Sequence, residues 1–396
     1  MNNASWLTID LKVPGAIEDI CAALECSSLA ERATLFNDPR WVEALANQND
    51  KHARVYVLRE RDGLAGLAAF LLHPSDLRLA LGELTFVSRS VRRLNAFASP
   101  LAGGDGDKQR ERAILVDLFT LIRGDLGRNE VIFLESVQEG TAMFDLVTQP
   151  GALAGNFHAL QYGKLYQHRF ATIPDSFDGY LKQFGARTRA DLRTNRKRFI
   201  AHVQQNYRTR CFRAPAEVPE FLADSMELSR KTYQYQLLGS GLRSAEALER
   251  YYFAASELGW FRSYVLYANE KPIAFQVGCV YRGRFHAQEI GYDPEWARRH
   301  VGIFLYTEII TDLAASNGAV KEFDFGNGDN LHKERLSTGS WREGYFYLIP
   351  AHFRDSCMAY SLRLANKVSA ILGACLERFG IHKKIRDLLR TLGAMK

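Results

Sequence analysis

Residues 261–318 read FRSYVLYANEKPIAFQVGCVYRGRFHAQEIGYDPEWARRHVGIFLYTEIITDLAASNG, and this stretch decides the fold. Phe261–Tyr267, Pro272–Tyr281 and Arg284–Gly291 have strand character, separated by the turn pairs Asn269, Glu270 and Arg282, Gly283. That spacing predicts three consecutive antiparallel strands. A loop, Tyr292–His300, leads into helical periodicity from about Gly302 to Ala315, closed by Asn317 and Gly318. A short strand Glu322–Phe325, a turn over 326–330 and a last strand Tyr345–Ile349 complete the order. The pattern predicts an α+β domain with a mixed, mostly antiparallel sheet.

Working outward, one long helix is predicted from Ser176 to about Gln205, followed by Val218–Tyr235 and Ala245–Leu258. The N-terminal half forms a second α+β block. Arg54–Leu58 and Leu64–Leu72 make a hairpin around Asp62 and Gly63, Ala113–Ile122 a helix, and Glu130–Leu134 and Lys164–Phe170 strands. Gly151–Asn156 connects the last two. No phosphate loop and no concentration of titratable groups marks this half, so it is expected to be chemically quiet. The expected division is 1–170, 171–351 and a helical C-terminal tail, 352–396.

The composition, 47% hydrophobic, 12% aromatic and 24% charged over 396 residues, excludes disorder, collagen and coiled coil for the whole chain. The net charge of +6 is local in origin. His352–Lys396 carries nine basic and three acidic residues, which leaves 1–351 balanced. Arg187–Arg213 carries nine basic residues against Asp191 alone. Met1–Ile20 lacks a basic leader with an apolar core, and the apolar run Leu64–Leu72 is too short to cross a bilayer, so a cytoplasmic protein is expected. Six cysteines without a C-x-x-C pair are expected to be reduced and mostly buried.

The sequence contains no G-x-x-x-x-G-K-[ST], H-E-x-x-H, G-x-S-x-G or strand-borne G-x-G-x-x-G. Over Ala287–Phe304, however, a strand delivers Arg298 and Arg299 to a helix start at Gly302. Unpaired N–H groups, a glycine and guanidinium groups together suit a pyrophosphate. An ordinary helix start beside solvated arginines has the same spacing.

The R-x-x-G-x-F of Arg299, Gly302 and Phe304 resembles the Q/R-x-x-G-x-G/A motif of GNAT-type acyltransferases, with Phe304 departing from the usual small residue. Phe323–Arg335, FDFGNGDNLHKER, resembles the D-F-G-x-G-D-x-x-Y-K segment of the CelD-like branch of cellulose and exopolysaccharide biosynthesis, which is related to Fem-type aminoacyltransferases. Asp324, Phe325, Gly326, Gly328, Asp329 and Lys333 match, and His332 replaces the aromatic. Arg187–Phe199 is similar to that branch's arginine-rich helix and Phe36–Leu45 to its opening.

The resemblance implies two tandem GNAT-like α/β/α domains and an acyl-CoA-dependent N-acyltransferase, with acetyl-CoA as cosubstrate and no metal. The implied acceptor is an amino group of an envelope or exopolysaccharide precursor, as a small-molecule, sugar-nucleotide or lipid-linked amine. Arg298, Arg299, Gly302 and Ile303 would hold the cofactor. Glu289 is the candidate general base, or else pairs with an arginine; a regular strand would turn it away from His286. Asp324 orients the amine or base, or only forms a turn. Asp329, His332 and Lys333, with Arg189, Arg193 and Arg196 on one helix face, are candidate substrate ligands or a solvated surface. Two further readings stay open: a Fem-type enzyme using aminoacyl-tRNA, with the arginines on RNA, and a non-catalytic GNAT-like regulatory or scaffold protein. The tail, with apolar and basic residues at helical spacing, could touch an anionic membrane as a peripheral contact or pack on the body.

Overall fold

The computed structural model describes residues 5–46, 50–61, 63–81, 84–104, 106–153, 155–232, 235–236, 241–327 and 331–352. The tail beyond His352 and the candidate ligand Asp329 lie outside them. The strands are β1 (Trp6–Ile9), β2 (His52–Glu60), β3 (Gly63–Leu81), β4 (Leu84–Ala96), β5 (Leu101–Ala102), β6 (Glu130–Gln138), β7 (Phe157–Thr172), β8 (Tyr207–Phe212), β9 (Ser263–Ala268), β10 (Lys271–Tyr281), β11 (Arg284–Tyr292), β12 (Glu322–Asn327) and β13 (Gly339–Pro350). The α-helices are α1 (Ala16–Glu25), α2 (Pro39–Ala46), α3 (Lys108–Asp125), α4 (Ala142–Thr148), α5 (Phe177–Lys182), α6 (Ala186–His202), α7 (Val218–Lys231), α8 (Ala245–Glu257), α9 (Val301–Ala314) and α10 (Leu331–Leu336).

The described residues form two compact units, 5–166 with 342–352, and 167–341. In the first, β1 to β4 are antiparallel neighbours, β4 runs parallel to β6 across the α3 crossover, and β6 is antiparallel to β13. In the second, β8 to β11 are antiparallel neighbours, β11 runs parallel to β12 across α9, and β12 is antiparallel to β7. Each unit thus follows one α+β scheme, an antiparallel meander, a helical crossover to a parallel strand, and an antiparallel closing strand. The closing strand is where the expected boundaries fail. The expected second domain, 171–351, takes in Tyr345–Ile349, yet Phe346 and Leu348 fill the first unit's core beneath α3 and α4. Strand pairing, which joins residues far apart in sequence, decided this.

Most predicted elements are present, usually longer than their sequence signal. The Ser176–Gln205 helix is two helices, because Gly185 is extended (φ −63°, ψ 158°) and starts α6 afresh. The 292–300 loop holds a 3₁₀ turn, Pro294–Arg299. In the second unit α6 and α9 pack Leu192, Phe199, Ile303 and Ile309 over Phe285, Phe323 and Phe325. Phe304 stacks on Phe199 at 4.0 Å and 24°, so the large residue at the last motif position is a core residue. On the other sheet face α7 and α8 bring Phe221 and Tyr252 onto Phe261. Among the described cysteines, all free, Cys21 and Cys279 are buried, Cys211 is half-buried and Cys26 is exposed, fewer buried than expected. Among the described residues no helix is long and apolar enough to cross a membrane.

Candidate functional site

The second unit's two parallel strands part company early. β11 and β12 pair only at Arg284↔Glu322, Phe285↔Phe323 and His286↔Asp324, although β11 runs on to Tyr292 and β12 to Asn327. Beyond His286 and Asp324 the strands splay. Backbone groups past that point are not tied up in a β11–β12 ladder.

A bulge re-aims the side chains beside the gap. β10 pairs Cys279 with His286 and Gly278 with Ala287, then Val277 with Glu289, so Gln288 is the extra residue. Cys279 and Val277 share a face, and their partners His286 and Glu289 share it too. The regular-strand expectation that Glu289 turns away from His286 is corrected. Phe285, Ala287, Ile290 and Tyr292 show the same phase change, all packing on the opposite, α9 side. Gly278 makes the bend possible, since a Cβ there would meet Phe285 Cζ at 2.2 Å. Gly278→Ala is expected to cost about 1–3 kcal/mol by overpacking. Urea titration checks this.

Glu289 is half-buried, and burial raises its pKa above the ordinary carboxylate range. Its charge adds to the burial that pushes up the hydroxyls of Tyr252, on α8, and Tyr306, on α9. Asp324 is the junction of the site. Its Oδ1 lies 2.6 Å from His168 Nε2 and accepts the Gly326 N–H at 2.7 Å; its Oδ2 lies 3.1 Å from His286 Nδ1. Burial alone would raise its pKa, but the two imidazoles outweigh burial and hold it well below the usual range. Asp324 thus accepts the Gly326 N–H in the turn and faces both imidazoles. Trp341 stacks on His168 at 4.3 Å and 10°, fixing that ring from the far side. His168 and Trp341 escaped the sequence reading because neither sits in a motif; the strand pairing of β7 with β12 brings His168 in.

At the other end of β11, His300 takes a left-handed conformation (φ 54°) and starts α9 without any side-chain cap. Arg298, Arg299 and His300 are exposed around it. The nearest atoms to a Cβ on Gly302 would be Tyr292 ring carbons at 3.7 Å, ordinary contact, so protein packing does not demand glycine here. A ligand approaching the backbone would. The Ile303 side chain is in the core, leaving its N–H as the group it can offer. His332 on α10 is half-buried, and burial, His300 and Arg335 all lower its pKa, so it is neutral at neutral pH. Lys333 donates to the carbonyls of Phe325 at 2.6 Å and Asn327 at 2.7 Å, which ties α10 to the end of β12.

The arginine-rich segment changes character in three dimensions. Arg196 binds Glu308 on α9 through Nε at 3.2 Å and Nη2 at 2.8 Å, tying α6 to α9. Arg193 meets Asp178, and Arg189 donates to the Phe184 carbonyl at 2.7 Å. Arg208, Arg210 and Arg213 reach Glu270, Glu217 with Glu220, and Asp312. Five of the nine bases in the basic island therefore hold carboxylates within the fold. Among the described residues no group of three or more His, Cys, Asp or Glu side chains is arranged to hold a metal ion.

Residues 186–334 match the family described as Acetyltransferase (GNAT) domain. The second unit carries a GNAT domain. Among solved structures, FemX is similar with a TM-score of 0.56 at 11% identity, covering 86% of this chain and 96% of that one. A conserved protein of unknown function from Bacteroides thetaiotaomicron VPI-5482 gives 0.54 at 13% identity, covering 87% and 99%. At such identities the likeness is one of fold, and it extends beyond the GNAT domain into the first unit. No curated protein matches this sequence. The splay, the bulge and the bare start of α9 all lie inside the matched segment.

Proposed function

We propose that the GNAT domain transfers an acyl group, acetyl in the simplest case, from acyl-CoA to an amine by direct attack on the thioester. The observation that carries this reading is the gap between β11 and β12. At its apex stand His286 and Asp324, along it Glu289, and past its mouth the uncapped start of α9 among Arg298, Arg299 and His300. The helix start and arginines suit the cosubstrate's pyrophosphate, with Gly302 admitting close approach. The open β11 backbone suits the thioester carbonyl, whose developing oxyanion needs fixed N–H donors. Glu289 takes the proton from the acceptor's ammonium, directly or through water, which frees the amine lone pair to attack. A raised pKa suits a base working near neutrality. Asp324 holds His286 and His168 in place on the same face. The acceptor is an amino group; assigning it to an exopolysaccharide precursor rests on the CelD resemblance alone.

Acetyl-CoA is expected to raise the thermal midpoint in a saturable way, since a ligand bound only by the folded state stabilises it by mass action. Gly302→Glu, which sets a side chain and negative charge at the anion site, is expected to abolish that shift without lowering the ligand-free midpoint much. A shift that persists in the variant defeats the placement. Release of free CoA with a panel of amines tests turnover, and stabilisation by charged tRNA in place of acetyl-CoA would favour the aminoacyl donor.

A further inference from the structure

The helices of the first unit divide its sheet unevenly. α3 and α4 pack on one face, over Leu94, Ile132, Leu134, Phe346 and Leu348. α1 and α2 pack on the opposite face over β2 and β3, where Ile20, Leu24 and Val42 meet Val55, Val57 and Leu71. Farther along that second face stand Val91 of β4, Val131 and Phe133 of β6, Tyr347 and Ile349 of β13, and Leu160 of β7. They alternate along their strands with the residues of the α3–α4 core. The resulting apolar cluster is made of strand residues: among the described residues no helix contributes to it.

These six side chains are nevertheless only 1–7% exposed within a single chain. Side chains stand out from a sheet, so strands alone do not bury a face; a second layer must lie on it. The cover has an edge at Tyr162 of β7. Its ring lies 6.1 Å from Phe133 and 5.6 Å from Tyr347, yet it stays 51% exposed. Because the burial holds in one copy, the layer is supplied by this chain.

Apart from 353–396, the stretches outside the described residues are no more than four residues long. The chain enters that segment straight from β13, three residues after Ile349. Within it Leu364, Val368, Ile371, Leu372, Cys375 and Phe379 recur at i, i+4, i+7, i+8, i+11 and i+15, an apolar stripe of helical period. Arg363 and Lys367 fall off the stripe. A helix from Leu364 to Phe379 would be ~24 Å long. With Leu77 on β3 the cluster spans five strands, about 19 Å.

We propose that the segment 353–396 docks on this face of the first unit, with the Leu364–Phe379 stripe laid across β7, β13, β6 and β4 as the second layer. Its apolar side is then committed to the protein and not to a lipid surface, while Arg363 and Lys367 face water. This docking is independent of the reaction assigned to the GNAT domain.

The test uses the full chain with Tyr162, at the edge of the cover, replaced by p-benzoylphenylalanine. Irradiation at low protein concentration is expected to cross-link it within the chain to peptides from 353–396, identified by mass spectrometry. Leu372→Asp combined with Phe379→Asp, both on the stripe, is expected to abolish that cross-link and to lower the thermal midpoint by about 4–8 °C. The same pair should raise the fluorescence of a dye that reports exposed apolar surface. Lys367→Asp, off the stripe, should do none of these. Wild-type protein is expected to stay in solution when sedimented with vesicles of equimolar phosphatidylglycerol and phosphatidylcholine. Cross-links only between chains or to other parts of the chain would overturn the proposal. So would stripe variants that melt and cross-link as the wild type does, or vesicle binding by the wild type that the stripe variants lose.

Discussion

Replacing Glu289 with Gln is expected to lower the turnover of acyl transfer by about 10²–10⁴-fold, the span of a lost general base. The neutral amide keeps the size of the side chain and leaves the start of α9 untouched, so stabilisation by acetyl-CoA should persist. The pH profile makes the role specific. Burial holds the Glu289 pKa above the ordinary carboxylate range, and only its ionised form can accept a proton. In the wild type, activity therefore falls as the pH drops through that raised value, at a higher pH than an exposed glutamate would impose. The Gln variant should lose this acid limb together with the rate. A variant that keeps both would remove Glu289 from the chemistry and point to the His286–Asp324–His168 group as the proton acceptor.

Replacing Asp324 with Ala is expected to destabilise the protein by about 3–5 kcal/mol, because it takes away one partner of a buried, hydrogen-bonded group. Three contacts go at once: those to His168, His286 and the Gly326 N–H. The first two leave buried imidazoles facing a void. The effect carries a pH signature. Since the folded-state pKa of Asp324 lies well below its unfolded value of ~4, its contribution is fully present above that value. It is lost as the pH falls from there through the depressed folded pKa. Urea midpoints measured from neutral pH downward should therefore converge for wild type and variant in strong acid. A constant gap at all pH values would mean that packing, and not the carboxylate charge, is what Asp324 supplies.

Much of the second unit was legible because its strands are short, turn-bounded and consecutive. β9, β10 and β11 pair with their immediate neighbours, so local periodicity and register coincide. The start of α9 was equally plain, since a glycine and two arginines after a strand are a local signal. The bulge at Gln288 was not. It lies beside Gly278 on the neighbouring strand, where a Cβ would meet the Phe285 ring, and no count along β11 reveals that. The arginine-rich segment misled for a related reason. Linear charge density ignores partners such as Glu308 and Asp312, more than 90 residues away in the chain.

The sequence by itself determined the α+β class, the order of strands and helices, and the motif-bearing turn at Arg298–Gly302, all properties written in spacings of a few residues. Only the tertiary structure decided which residues meet. It delivered His168 from β7 to Asp324, gave β13 to the first unit and set Glu289 on the face of His286. Each of these depends on strand register between distant segments, where a shift of one residue turns a side chain from one face of the sheet to the other.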